Sequence, residues 1–223
     1  MGRTFRQSAP CPRGAAGSAI GLPIRTESPG ARAARPVRRG RGEAPQDAAE
    51  RGAQGARAER VAERLSGGAG RALTQTDTFL RAPRGRLKLR DCGVRAGGGV
   101  TDGQGQLIFY ECPDSEGPKL SHYSISPTAD PAGLVAVLSE ALGVQGVVKK
   151  ERRLYMVGQT RVHLDRVEGL GDFLELEVVL SEQQSPEDGE RVARRLMEEL
   201  GVQEEDLVAG AYLDLLLAGG SPT

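Results

Sequence analysis

Tryptophan is absent from the 223 residues, and aromatics are few, with four Phe and four Tyr. The formal charge is zero, so composition points away from a dedicated nucleic-acid binder. Cys11, Cys92 and Cys112 form no Cys-x-x-Cys pair, and His122 and His163 are the only histidines. That excludes a zinc finger and supplies no disulfide framework, which favours a reducing compartment. No apolar run reaches the roughly 18 residues that a membrane-spanning helix needs. The N-terminus also lacks the apolar core of a secretory signal, and the expected location is cytoplasmic.

The zero charge hides an asymmetry. Residues 1–42 contain nine arginines and one acidic residue, Glu27, leaving a surplus of −8 on the rest. Residues 1–45 are rich in Arg, Ala, Gly, Pro and Ser, and bulky apolar residues almost cease after Ile24. Such a segment buries too little surface to offset its ordering entropy. The expectation is a disordered tail over 1–45 and one folded domain over 46–218. Arginine-rich, acid-poor beginnings resemble transit peptides, which makes mitochondria the alternative location. A GC-biased or misassigned N-terminus is the blander reading. Arg6 stands where N-myristoylation requires Ser or Thr.

The remainder alternates strand and helix signals. "DAAERGAQGARAERVAERL", 47–65, predicts a helix with Ala58, Val61 and Leu65 on one stripe and Gly67-Gly68 as its stop. Alternating segments over 74–81, 86–91, 106–112 and 119–126, separated by Gly- or Pro-containing turns, predict an antiparallel meander. Asp130, Pro131 and Gly143 delimit a helix. Strands follow over 146–157, 160–168 and 172–181, the first two joined at Gly158-Gln159. Ser185-Pro186 and Asp188 start another helix, ending before Gly201. "GAYLDLLL" reads as a final strand or short helix.

Each strand offers one charged and one apolar stripe. Arg86, Lys88 and Arg90 alternate with leucines, Lys150 and Arg152 share a face, and so do Arg161, His163 and Asp165. In "FLELEVVL", Glu175 and Glu177 lie opposite Leu174, Leu176 and Val178. A charged stripe is most often a solvated face. Several together admit a second arrangement, a closed barrel with the stripes turned into its lumen. Charges withdrawn from water are costly unless paired, and a polyanion chelated to a divalent metal pairs both signs.

The order "GRLKLR", "LIFYECPD", "GPKLSHY", "VVKKERRLYMVGQTRVHLDRVEGLGDFLELEVVL" and "RLMEELGV" resembles the CYTH superfamily. These are the triphosphate tunnel metalloenzymes, which include class IV adenylyl cyclases and thiamine triphosphatases. The resemblance spans residues 75–217 and implies an α+β fold, an antiparallel eight-stranded tunnel with helices packed outside. It implies that Lys88, Arg90, Lys119, Lys150, Arg152 and Arg161 contact a triphosphate. Asp165, Glu175 and Glu177 would hold Mg²⁺ or Mn²⁺. The implied ligand is inorganic tripolyphosphate, thiamine triphosphate or a nucleoside triphosphate, and neither nucleic acid nor membrane is an expected partner. The implied activity is metal-dependent hydrolysis of a triphosphate, or cyclisation as in adenylyl cyclases.

Two departures qualify this. The family's opening strand carries Glu-x-Glu-x-Lys, and no such motif occurs in "RTESPGARAARP" or elsewhere upstream of the 47–65 helix. Cys112 in "YECPD" stands where related sequences carry a basic residue. The expectation is therefore a barrel lacking its first strand, with an open backbone edge and weaker metal binding. The alternative functions are a non-catalytic binder of polyphosphate or nucleotide, or a variant product without the first catalytic strand.

Overall fold

A computed structural model describes residues 16–25, 46–96, 99–102, 105–111, 119–208 and 210–219. Among the described residues lie nine strands: β1 (Ala16–Arg25), β2 (Arg71–Leu80), β3 (Arg86–Ala96), β4 (Gly99–Asp102), β5 (Gly105–Glu111), β6 (Lys119–Thr128), β7 (Val144–Val157), β8 (Thr160–Val167) and β9 (Gly171–Val179). Four helices accompany them: α1 (Gln46–Ser66), α2 (Pro131–Leu142), α3 (Pro186–Leu200) and α4 (Tyr212–Gly219). No helix among the described residues is long and apolar enough to cross a membrane.

The strands run β2-β7-β8-β9-β1-β6-β5-β3, and β3 pairs back onto β2. Eight antiparallel strands thus close into a barrel, and β4 pairs with the end of β3 on the same side as β5. Closure leaves no open edge in the ring, which removes the aggregation hazard of an exposed strand.

The expected barrel is present, with one correction: the slot left open by the sequence reading is filled. Ala16–Arg25 pairs with β9 from Ala19 to Arg25 and with β6 from Ala16 to Gly21. This strand falls inside the segment expected to be disordered. The rest of that segment, 1–15 and 26–45, lies outside the described residues. Pro23 argues against a central strand, because it cannot donate to a ladder. The register explains its tolerance: β6 pairs no further than Gly21, so at Pro23 the strand has β9 alone as neighbour.

The apolar stripes face outward, beneath the helices. Ile20 and Ile24 of β1, Val162 of β8, and Leu174, Leu176 and Val178 of β9 pack with Ala58 and Ala62 of α1 and Ala193, Leu196, Met197 and Leu200 of α3. α1 and α3 form where the sequence places them. α3 carries the expected capping box, the Ser185 side chain accepting from Asp188 N–H while Asp188 accepts from Ser185 N–H, and it stops at Gly201 with φ 74°. The tail becomes a helix, α4, which seats Leu213 with Phe79, Val148, Val167 and Phe173 at one end of the barrel. The usual order of a small barrel is reversed, with apolar groups outside under helices and charges within.

Candidate functional site

Because residues alternate across a strand, a single parity choice turns Gln75, Asp77, Lys88, Arg90, Lys150, Arg152, Arg161, His163, Asp165, Glu175 and Glu177 to the inside. The first inward cluster centres on Asp77 of β2. Arg90 of β3 donates to both its carboxylate oxygens, at 2.7 and 2.8 Å, and Lys88 Nζ lies 2.9 Å away. Burial favours a neutral acid, yet Arg90 and Lys88 outweigh it and hold Asp77 well below the usual carboxylate range. Burial, with Arg90 adding to it against Asp77, brings Lys88 down to about 8.

The second cluster centres on Asp165 of β8. Arg152 of β7 grips it through Nε at 2.6 Å and Nη2 at 2.5 Å, and Lys150 Nζ is 3.2 Å away. Tyr212 of α4 donates its hydroxyl to Asp165 at 3.1 Å. The same Arg152 Nη2 reaches Glu175 at 2.7 Å. His163 stands between the glutamates, with Nδ1 3.3 Å from Glu175 and Nε2 3.8 Å from Glu177. Burial and the nearby Arg152 lower the His163 pKa, so the neutral ring is favoured. Arg161 donates to Glu177 at 2.9 Å.

Eight of the nine candidate residues are thus placed on one inner wall as side chains. The ninth, Lys119, occupies the β6 position opposite Gly21, and its side chain lies outside the described residues. Asp77, Gln75, Tyr212 and Asp214 were missed. Asp77 had a signal: in "LTQTDTFL" the polar Gln75 and Asp77 share a face with Leu73 and Phe79, an anomaly on an otherwise apolar stripe. Asp214 gave none, since its bidentate partner Arg86 lies 128 residues away.

Divalent metal is a general feature of the family implied by the resemblance, so the donors were tested against it. Asp165 does not fit a metal ligand: both oxygens already accept from Arg152, and Lys150 and Tyr212 close in on one of them. No group of three His, Cys, Asp or Glu poised for a metal occurs among the described residues. On β1, Gly21 stands opposite Glu177 and Pro23 opposite Glu175, so this part of β1 adds no carboxylate. Glu175 and Glu177 retain side-chain exposures of 30% and 25%. Two carboxylates suit Mg²⁺ when phosphate oxygens complete its shell. The fit is therefore to a metal shared with an anion that takes over Arg152 and Arg161.

An open groove of about 660 Å³ at β2, β3, β7 and β8 is lined by Thr74, Thr76, Asp91, Lys149 and Glu151 of the outer face and also touches Gln75, Cys92 and Lys150. Its charges are mixed, and most of its lining belongs to the face opposite the inner clusters.

A closed antiparallel barrel, helices outside and opposed charges within, defines a protein of the charged-tunnel class. The CYTH domain profile matches residues 50–212, and the chain belongs to the CYTH family. Among curated proteins no match is found. Solved structures with the same fold include the PH1012 protein of Pyrococcus horikoshii, at 24% identity and TM-score 0.62, covering 89% of this chain and 99% of that one. A conserved hypothetical protein of Pyrococcus furiosus aligns at 21% identity and TM-score 0.63, over 88% and 99%. A proposed adenylate cyclase of Vibrio parahaemolyticus aligns at 15% identity and TM-score 0.58, over 91% and 98%.

Proposed function

We propose that this chain binds the triphosphate group of a small molecule inside the barrel and processes it with a divalent metal, by hydrolysis or by cyclisation. The carrying observation is the convergence of Lys88, Arg90, Lys150, Arg152 and Arg161 on one inner wall, opposed by Asp77, Asp165, Glu175 and Glu177. Among these described residues five cations meet four carboxylates, a slight positive excess with His163 neutral. Arginine forks match phosphate oxygens bidentately, and an entering triphosphate would exchange Arg152 and Arg161 away from their glutamates.

Asp77 and Asp165 are positioning groups in this reading, holding Lys88, Arg90, Lys150 and Arg152 in place before ligand arrives. Glu175 and Glu177 are the residues that would hold Mg²⁺ or Mn²⁺, which supplies charge neutralisation and Lewis acidity at the phosphate. The deciding assay supplies Mg²⁺ or Mn²⁺ with tripolyphosphate, thiamine triphosphate and nucleoside triphosphates, and measures phosphate release and cyclic nucleotide. No product from any of them overturns the enzymatic reading. Fold likeness to the Vibrio protein is why cyclisation belongs in that assay.

One observation favours a second reading, binding without turnover: Gly21 and Pro23 oppose the two glutamates, where the family resemblance implies further carboxylates. It expects tripolyphosphate to raise Tm in the absence of turnover.

A further inference from the structure

Gln75 lies on the inner face of β2, two residues from Asp77, opposite Cys92 of β3 and Lys150 of β7. It is 5% exposed. Its Nε2 donates to Cys92 Sγ at 3.3 Å, but its Oε1 accepts no hydrogen bond from any described residue. Buried polar atoms are nearly always paired, and an exception asks for an explanation. The nearest cations do not supply it, since Lys88 and Arg90 serve Asp77 while Lys150 and Arg152 serve Asp165.

On its β3 side Gln75 has uncharged neighbours. The next inward pair along β2 and β3 is Leu73 opposite Val94, and Leu73 is buried. Across β7, Leu73 and Gln75 stand opposite Arg152 and Lys150, so it is on the β3 side of the same level that the barrel presents an amide oxygen, a sulfur and two aliphatic side chains. A carbonyl oxygen repels phosphate oxygens, and aliphatic groups do not solvate them. An uncharged ring bearing an N–H or O–H donor satisfies both features.

The geometry points to Gln75, flanked by Cys92, Leu73 and Val94, as the subsite that recognises a hydrogen-bond donor on the organic group of a triphosphate ester. This rests on the triphosphate reading above and extends it from the phosphate chain to the group that the chain carries. Gln75 thereby favours an ester over inorganic tripolyphosphate, because the ester supplies the missing donor and a site built to hydrogen-bond discriminates against ligands lacking one.

The test titrates tripolyphosphate, ATP and thiamine triphosphate into the wild-type chain and Gln75→Leu by calorimetry at one salt concentration. ATP and thiamine triphosphate offer their donors on an adenine and an aminopyrimidine ring, so the two arms separate the ring types. The expected result is that Gln75→Leu leaves tripolyphosphate affinity within about twofold and weakens at least one ester by about tenfold, the scale of one lost hydrogen bond. Equal weakening of all three ligands assigns Gln75 to the phosphate chain and overturns the subsite. So does no change in any. Failure of tripolyphosphate to bind the wild type is the separate signature that the triphosphate reading itself is wrong, and it removes the subsite with it.

A second measurement needs no variant. Alkylation of wild-type Cys92 by iodoacetamide, followed by mass spectrometry, is expected to slow about fivefold or more with the favoured ester than with tripolyphosphate, each at saturation, since only the ester covers the thiol. Equal protection by both overturns the proposal.

Discussion

Arg152 holds Asp165 with two hydrogen bonds, 2.6 Å through Nε and 2.5 Å through Nη2, and the second nitrogen also reaches Glu175 at 2.7 Å. One guanidinium thus ties β7 to β8 and β9. Burial disfavours the charge, but Asp165 and Glu175 outweigh it and hold the Arg152 pKa well above its ordinary value. Removing the cation leaves buried Asp165 with Lys150 and Tyr212 and half-buried Glu175 with His163, and breaking a buried pair in this way typically costs about 3–5 kcal/mol. Arg152→Ala is expected to lower Tm by roughly 10 °C. Arg152→Lys should recover only part of this, because an ammonium has no planar fork. A calorimetric Tm within a degree or two of wild type for Arg152→Ala would show that the cluster is not structural.

Lys88 is expected to make anion binding pH-dependent. Its pKa is about 8, lowered by burial and by Arg90 against the pull of Asp77. An anion binds the protonated form better, so its binding constant should fall as pH rises through about 8, by up to about tenfold per pH unit if Lys88 must be charged. Stability moves the other way. The unfolded lysine keeps its proton to about 10.5, so between about 8 and 10.5 the unfolded state binds more protons and raising the pH stabilises the fold. Tripolyphosphate titrations from pH 7 to 9.5 are expected to show the fall in wild type and a flatter profile in Lys88→Arg. Parallel profiles would remove Lys88 from the anion site.

The barrel was legible through the family resemblance, and the shared faces of its charges through alternation, which carries that information locally. Lys88 and Arg90, Lys150 and Arg152, and Glu175 and Glu177 each sit at i, i+2, and such spacing fixes a shared face wherever the strand lies. β1 was not legible for a physical reason. Ile20, Leu22 and Ile24 alternate with Ala19, Gly21 and Pro23, so its inward positions are small or apolar and no polar stripe marks the parity. Only the pairing with β6 and β9 identifies it. The role of Asp165 also required three dimensions. Sequence placed it beside the glutamates as a metal ligand, whereas cross-strand register sets it against Arg152, whose guanidinium engages both its oxygens.

β1 is the newly found element, and its contribution is measurable. Ile20 and Ile24 are 1% and 0% exposed and pack with the α1 and α3 residues of the main core. Truncating such a side chain usually costs about 2–5 kcal/mol. Ile20→Ala is expected to lose stability in that range in urea denaturation, with hydrogen exchange at β6 and β9 amides accelerating as the barrel opens. An unchanged midpoint would mean that β1 does not close the barrel in solution.

Gly21 offers a gain-of-function test of the metal site. It stands opposite Glu177 on β9, and a Cβ built there meets no described atom within 4 Å, so a side chain can start there without an immediate clash. Wild type, with Glu175 and Glu177 both engaged by arginines and Asp77 and Asp165 held by their own cations, is expected to bind Mn²⁺ measurably only when tripolyphosphate is present. Linkage requires the reverse as well, that Mn²⁺ tightens tripolyphosphate by the same factor. Gly21→Glu adds a third carboxylate beside the pair and should raise Mn²⁺ affinity by about tenfold or more, since oxygen ligand count and charge set the affinity of such sites. Electron paramagnetic resonance of bound Mn²⁺ reads both effects without any assay of turnover. Tight Mn²⁺ binding by wild type with no anion would show that Glu175 and Glu177 leave their arginines readily. No gain in Gly21→Glu would show that this position of β1 does not reach the metal, and that the carboxylates implied for the first strand cannot be restored there.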